Sequence, residues 1–247
     1  MVDQLNTELL AIDHVGLIKA RNKSTNERLA YMTEIRLRKE TPADYREVEN
    51  VTREAFWNHH SPGCDEHYLL HIIRESDAFI RDLDFIAEID GKIVGNIVYT
   101  ESKILGDNGE CCNTITFGPI SVMPEYQGIG IGRMLIKHTI ELARSCGYKA
   151  ILIYGDPDYY SRFGFVAAET YDIRTPDDMY AAPLQVLELY PGALYGCSGR
   201  FFEDTDYEID AAAAAEFDKI FPHKDRLSGL PTQRRFEELV KSRKPRL

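Results

Sequence analysis

Gly118-Pro119-Ile120-Ser121-Val122-Met123-Pro124-Glu125-Tyr126-Gln127-Gly128-Ile129-Gly130-Ile131-Gly132-Arg133 is the stretch whose reading decides the fold. A strand ends at Val122 or Met123, a tight turn runs from Pro124 to Gln127, and a helix begins among three glycines. Ile131, Leu135, Thr139, Leu142, Ala143 and Cys146 then recur at helical spacing, and Gly147 supplies the C-terminal stop. Glycine has no Cβ, so an anion can come close to the backbone here. The first N–H groups of a helix lack intrahelical partners, and the helix dipole adds partial positive charge at the same place. Strand, glycine-rich turn and helix start, in that order, make a pyrophosphate cradle. The spacing Gly128-x-Gly130-x-Gly132 is not G-x-G-x-x-G, and the segments before it read as hairpins, so a Rossmann dinucleotide site is disfavoured. No G-x-x-x-x-G-K-[ST] is present, so the turn is not a P-loop.

Outward from this stretch, residues 84–121 read as a strand meander, with hairpin signals at Gly91-Lys92 and at Gly106-Asp107-Asn108-Gly109. Further upstream, Glu34–Arg38 alternates polar and apolar residues, as a strand does. Thr41-Pro42 predicts a helix start, with Thr41 at N-cap, Pro42 at N1 and Asp44 at N3, running to about Trp57. A Pro62-Gly63 break precedes a second helix near Asp65–Arg74. Downstream, Ala150–Gly155 is a continuous apolar run of the kind a buried parallel strand requires. A short helix over 157–163, a strand from Gly164 and a last strand over 184–190 complete the order β, α, α, β, β, β, α, β, α, β, β.

The chain has 247 residues, room for one large domain or one domain with sizeable additions. It carries 29 Lys and Arg against 40 Asp and Glu, a formal charge of −11. That balance argues against a chain built to coat nucleic acid or anionic lipid, and leaves room for a cationic partner. No apolar run approaches the roughly 18 residues of a transmembrane helix. The N-terminus lacks the basic start and apolar core of a signal peptide, so a cytoplasmic protein is expected. Cys64, Cys111, Cys112, Cys146 and Cys197 are odd in number and irregularly spaced, which disfavours disulfides and a zinc site. Cys112 and Cys146 read as buried fillers. Adjacent residues cannot easily face one ion together, so His59-His60 reads as a solvated loop and no metal site is expected.

The central stretch resembles the Q/R-x-x-G-x-G/A acyl-CoA signature of the GCN5-related N-acetyltransferase (GNAT) superfamily, carried by Gln127-Gly128-Ile129-Gly130-Ile131-Gly132. Tyr159-Tyr160-Ser161-Arg162-Phe163-Gly164-Phe165 is similar to the family's Y-x-R/K-x-G-F segment, and the element order also matches. The resemblance spans about residues 34–190. It implies an α/β fold with a mixed, mostly antiparallel central sheet, flanked by helices and splayed at the acyl-CoA site. It implies acetyl-CoA as cosubstrate and direct transfer of the acetyl group to an amine of a small molecule or peptide. The alternative is a non-catalytic acyl-CoA-binding or interaction module. By the resemblance, main-chain groups of Ile120, Val122 and Met123 pair with pantetheine, and the Val122 or Met123 amide polarises the thioester carbonyl. The backbone of Gln127, Gly128, Ile129, Gly130, Ile131 and Gly132, with Arg133 nearby, holds the pyrophosphate. Tyr160 matches the general acid that protonates the departing thiolate. Phe56, Trp57 and Tyr68 fall where acceptor-lid helices lie. The base is less determined: Glu54, Glu88, Glu101, His71 and His138 are candidates, with Glu54 on the first helix preferred.

Two extensions flank this domain. Residues 1–33 are of mixed character. Residues 191–247 hold strand-like Arg200–Glu203, an Asp206–Ile209 link and a helix over Asp210–Phe217. They could cover the acceptor cleft or a homodimer interface. Residues 231–247 hold six basic and two acidic side chains and read as a disordered or surface-docked tail.

Overall fold

The computed structural model describes residues 14–19, 32–203 and 209–246. Expectations for residues 1–13 and 20–31, and for most of the Asp206–Ile209 link, lie outside the described residues. The strands and helices expected from residue 34 onward form, joined by elements that were not expected, among them a strand at 14–19 where a helical or partly ordered extension was expected. They are β1 (His14–Lys19), β2 (Met32–Lys39), α1 (Tyr45–Phe56), α2 (Glu66–Ile73), β3 (Phe85–Ile89), β4 (Lys92–Gly106) and β5 (Cys111–Val122). There follow α3 (Ile131–Ser145), β6 (Ala150–Tyr154), α4 (Pro157–Tyr160), β7 (Val166–Ala167), β8 (Ile173–Arg174), β9 (Met179–Ala181) and β10 (Leu184–Glu188). The last elements are β11 (Gly199–Glu203), α5 (Ala211–Asp218), α6 (Pro231–Lys241) and β12 (Arg243–Pro245).

The sheet runs β1-β2-β3-β4-β5-β6-β10-β7, and β11 pairs with β4 and β8. Most pairings are antiparallel, and β5 with β6 is parallel. This is the mixed α/β arrangement that the sequence implies. The two faces carry different helices. Ile97 and Tyr99 of β4 share an apolar cluster with Ile131, Leu135 and Ile140 of α3. Val98 of β4 shares one with Val48 and Val51 of α1 and Leu70 and Ile73 of α2. Neighbouring strand residues point to opposite faces, so α3 covers one face and α1 with α2 the other. Each cluster residue named here is nearly or fully buried, so each apolar side chain contributes roughly 1.5–3 kcal/mol by leaving water.

Three expectations need correction. The first helix has its hydrogen-bonded start at Tyr45, four residues after Thr41. Asp44 is drawn into a bidentate contact with Arg38 of β2, at 2.7 and 2.8 Å. Its Oδ2 also accepts from the Thr41 amide and hydroxyl, so the carboxylate is the acceptor that Thr41 was expected to be. Secondly, Cys112 and Cys197 form a disulfide, with Cα atoms 5.8 Å apart at a sequence separation of 85. Pairing of β11 with β4 and of β4 with β5 brings them together, and linear spacing carries no trace of that. Thirdly, Cys146 is exposed rather than a buried filler.

Of the two readings of the basic tail, the surface-docked one holds over the described residues to 246. The tail forms α6 and β12, and β12 pairs antiparallel with β9. Arg246 reaches Asp107 at 2.8 Å and Asp172 at 2.5 Å, Lys244 reaches Glu169 at 2.7 Å, and Arg243 pairs with Asp177. The tail's cations thus sit on an acidic surface of the same chain.

Candidate active site

β5 and β6 pair only at Ile115↔Ile151 and Thr116↔Leu152. Beyond that point they part. From Phe117 to Val122, β5 keeps β4 on one side and has no strand on the other among the described residues. A cavity of about 890 Å³ fills the opening. Its β5 wall includes Thr116, Gly118, Ile120 and Val122, and its opposite wall is Tyr154, Gly155 and Asp156 at the end of β6. An unpaired strand edge presents backbone donors and acceptors that need partners, which suits an extended ligand with amides of its own.

At one end the cavity meets the start of α3. Gly130 is the N-cap in the left-handed region, at φ +99°, and Gly128 is at φ +77°. A side chain is strained at both, and glycine is free of that strain. The first intrahelical bond runs from Met134 N to Gly130 O, so the preceding N–H groups remain for a ligand. Gln127, Gly128, Gly130, Ile131, Gly132 and Arg133 all line this end. Ile129 does not, and packs against the core under α3 instead. Gln127 donates through Nε2 to the Val122 carbonyl at 3.0 Å, tying the turn to the strand. The Met123 amide is already bonded to Val94 O at 2.9 Å, and Met123 is not on the cavity wall. Of the two amides expected to polarise a carbonyl, Val122 is the one that the cavity reaches.

Tyr160 stands on the wall between the two strands. Its ring lies 5.8 Å from both Phe117 and Phe165 and 4.9 Å from Tyr159. Gly155 makes this position available, since a Cβ there would overlap the Tyr160 ring. Burial pushes the Tyr160 phenol well above its usual range, so it holds its proton at neutral pH. Asp156 caps α4 by accepting from the Asp158 amide at 2.9 Å, and Arg235 of α6 grips the Asp156 carboxylate with two bonds of 2.9 Å. The Arg235 bonds, chiefly, hold Asp156 below the usual carboxylate range.

The other end is made by the α1–α2 connection and by β11. Phe56, His59, His60 and Glu66 line it, joined by Glu203. His60 Nδ1 is 2.9 Å from Glu66 Oε1, and its ring stacks on Phe236 of α6 at 4.5 Å. Burial, with the neighbouring His60, lowers the pKa of His59. Burial pushes Glu203 up to about 7.

The base candidates named from sequence lie elsewhere. Glu54 pairs with Lys224 at 2.7 Å and does not line the cavity. Glu88 pairs with Arg38, His71 with Glu49, and His138 packs on Phe85. Glu101 is exposed and is also outside the cavity. Of the lid aromatics only Phe56 reaches the cavity. Trp57 donates to the Asp225 carbonyl, and Tyr68 packs against Phe217. Sequence reasoning missed Glu203, Glu66, Asp156 and Gly155. The only signal within reach was that Gly155 and Asp156 follow the parallel strand directly.

Comparison with known proteins agrees with this geometry. The profile of the "Acetyltransferase (GNAT) domain" family matches residues 82–167. The N-acetyltransferase YhbS of Escherichia coli K12 is 30% identical over 164 residues, covering 66% of this chain and 92% of YhbS. The crystal structure of E. coli YhbS in complex with CoA superposes with TM-score 0.61 at 28% identity, over 73% of this chain and 93% of that one. A GNAT acetyltransferase from Brucella melitensis, solved with acetyl-CoA, gives TM-score 0.51 at 30% identity, over 64% of this chain and 89% of that one.

Proposed function

The chain belongs to the GNAT family of N-acetyltransferases, and from that premise we propose how its cleft carries out acetyl transfer from acetyl-CoA to an amine. The pyrophosphate lies at the N-terminus of α3, against the amides of Gly130, Ile131 and Gly132, with the Arg133 cation nearby. The pantetheine arm runs along the free edge of β5 and adds itself as a short strand beside Ile120 and Val122. The Val122 amide donates to the thioester oxygen and stabilises the charge that develops on attack. The amine nitrogen attacks the carbonyl carbon, the C–N bond forms and the C–S bond breaks. Tyr160 gives its proton to the departing sulfur. The reaction belongs to the cytoplasm, where acetyl-CoA is available to it.

One observation carries this reading. The glycine-lined start of α3, the unpaired edge of β5 and the Tyr160 ring all border one continuous cavity. The experiment is thiol release from acetyl-CoA by the purified chain with a panel of primary amines, beside calorimetry with acetyl-CoA, ATP and NAD. Binding of acetyl-CoA alone, with thiol release that depends on an added amine, is the expected result. Tight binding of ATP or NAD, or no thiol release with any amine, overturns it.

A further inference from the structure

The C-terminal segment brings to the cavity a carboxylate that the proposed mechanism has not used. Glu203 is the last described residue of β11, opposite Ser102 in the pairing with β4. Its face of the sheet follows from alternation. Phe201, Ile104, Cys112 and Leu152 belong to one apolar cluster, so residues two positions along the same strands share that face. Glu203, Thr114 and Thr116, and Tyr154 therefore stand together. This is also the face of α1 and α2, because Val98 and Ile104 are six apart on β4. The Phe201 and Tyr154 rings, 6.0 Å apart, confirm the approach of β11 to the end of β6. Tyr160 comes from the other side of the gap, where it packs on Phe117 and Phe165 of the α3 cluster.

Three carboxylates line the cavity among the described residues: Glu66, Asp156 and Glu203. Glu66 is held by His60 and by the Asp65 amide at 3.1 Å. Asp156 is held by Arg235 and by the Asp158 amide. The Glu203 carboxylate makes no hydrogen bond or ion pair among the described residues, and it is partly withdrawn from water. A desolvated carboxylate that lines a cavity and has no partner among the described residues is placed to take a proton from what enters it.

Resting on the acetyl-transfer reading above, we propose that Glu203 is the general base and that the acceptor is a protonated primary amine reaching the thioester from the α1–α2 face. The ammonium donates a proton to the Glu203 carboxylate. The neutral nitrogen attacks the carbonyl carbon, the C–S bond breaks, and the sulfur takes the Tyr160 proton. The second proton of the nitrogen leaves through water to the Tyr160 phenolate, and Glu203 releases its own to solvent. One proton leaves per turnover, as the balance of ammonium plus thioester to amide plus thiol requires. Base and acid thus stand on opposite faces of the sheet, with the scissile bond in the gap between them. Charged and ionisable side chains that also line the cavity are His59 and the His60–Glu66 pair from the α1–α2 connection, Tyr154 from β6, and Asp156 with Arg162 beside α4. The base works as the carboxylate, so kcat/KM rises as pH passes upward through about 7, where burial places Glu203.

The test compares the unmodified chain, Glu203→Gln and Glu203→Asp in acetyl-CoA thiol release, with the panel of primary amines, from about pH 5 to about pH 9, values chosen to bracket the shifted group by roughly two units on each side. Glu203→Gln is expected to lose about 100-fold in kcat/KM at neutral pH and to lose the rising limb near neutrality. Glu203→Asp is expected to recover part of the rate and of the limb. Acetyl-CoA affinity by calorimetry should change less than about threefold in both, which separates loss of a base from loss of fold. An unchanged rate and pH limb in Glu203→Gln overturns the assignment of Glu203 and leaves acetyl transfer standing. No thiol release by the unmodified chain with any amine overturns acetyl transfer, and the assignment with it.

Discussion

The two ends of the cavity are built in different ways. The donor end comes from short, nearly continuous stretches: β5 through the start of α3, and β6 through α4. Its ligand-facing groups are mainly backbone, exposed by glycines. The proposed acceptor end joins Phe56, His60 and Glu66 to Glu203, more than a hundred residues away, with Phe236 of α6 stacked on His60 at its rim. Its groups are side chains, brought together only when β11 and α6 dock beside the α1–α2 connection. A cosubstrate with fixed chemistry can be held by backbone geometry that folds locally. An acceptor has to be chosen by side chains, and these are free to come from any element that reaches the rim.

Breaking the donor end should have the largest consequences. Tyr160→Phe removes the phenol proposed to protonate the departing sulfur and leaves the ring packing intact. We expect kcat to fall by about 100-fold or more in thiol-release assays, with little change in acetyl-CoA affinity. An equal loss of affinity would mean that the phenol binds rather than reacts. Gly130→Asp places a Cβ at φ +99° and a negative charge at the cradle, while an Asp at N-cap still supports the helix. Acetyl-CoA binding measured by calorimetry should weaken by about 100-fold, the sum of backbone strain and charge repulsion.

The acceptor end should respond through stability and selectivity. The Cys112–Cys197 disulfide ties the segment before β11 to β5 across 85 residues. Cys197→Ser should cost about 2–4 kcal/mol, visible as a thermal midpoint lower by roughly 5–10 °C. The same variant should keep its acetyl-CoA affinity within about threefold, because the cradle does not depend on β11. Glu54→Gln should be the mildest change. Glu54 is paired with Lys224 and lies outside the cavity, so kcat/KM should stay within about twofold to threefold across pH. A hundredfold loss there would return the base to the first helix.

Much of the donor end was legible in advance because its signals are local. Glycines beside a helix start, a continuous apolar strand and an aromatic short helix each announce themselves within about a dozen residues. Even there, Met123 and Ile129 carried the right motif positions and still faced away. The Met123 amide is taken by Val94, and the Ile129 side chain is drawn into the core. Thr41 and Asp44 exchanged roles for a similar reason, since Arg38 of β2 competes for the carboxylate. A local rule ranks the partners within reach along the chain, and it takes no account of a guanidinium arriving from the next strand.

By itself the sequence determined the order of elements from the strand at Glu34 to the strand ending at Glu188, and the glycine-rich turn and helix start at Gly128–Gly132. Those follow from periodicity and glycine, both short-range properties, whereas the parting of the strands after Val122 was implied by the family resemblance. Only the tertiary structure decided that Cys112 meets Cys197, that the basic tail lies on its own acidic surface, and that Glu203 lines the cavity while Glu54 does not. Each of these depends on which distant strands pair and on how a twisted sheet brings their faces together. That is settled by burial of the whole core, which no local stretch encodes.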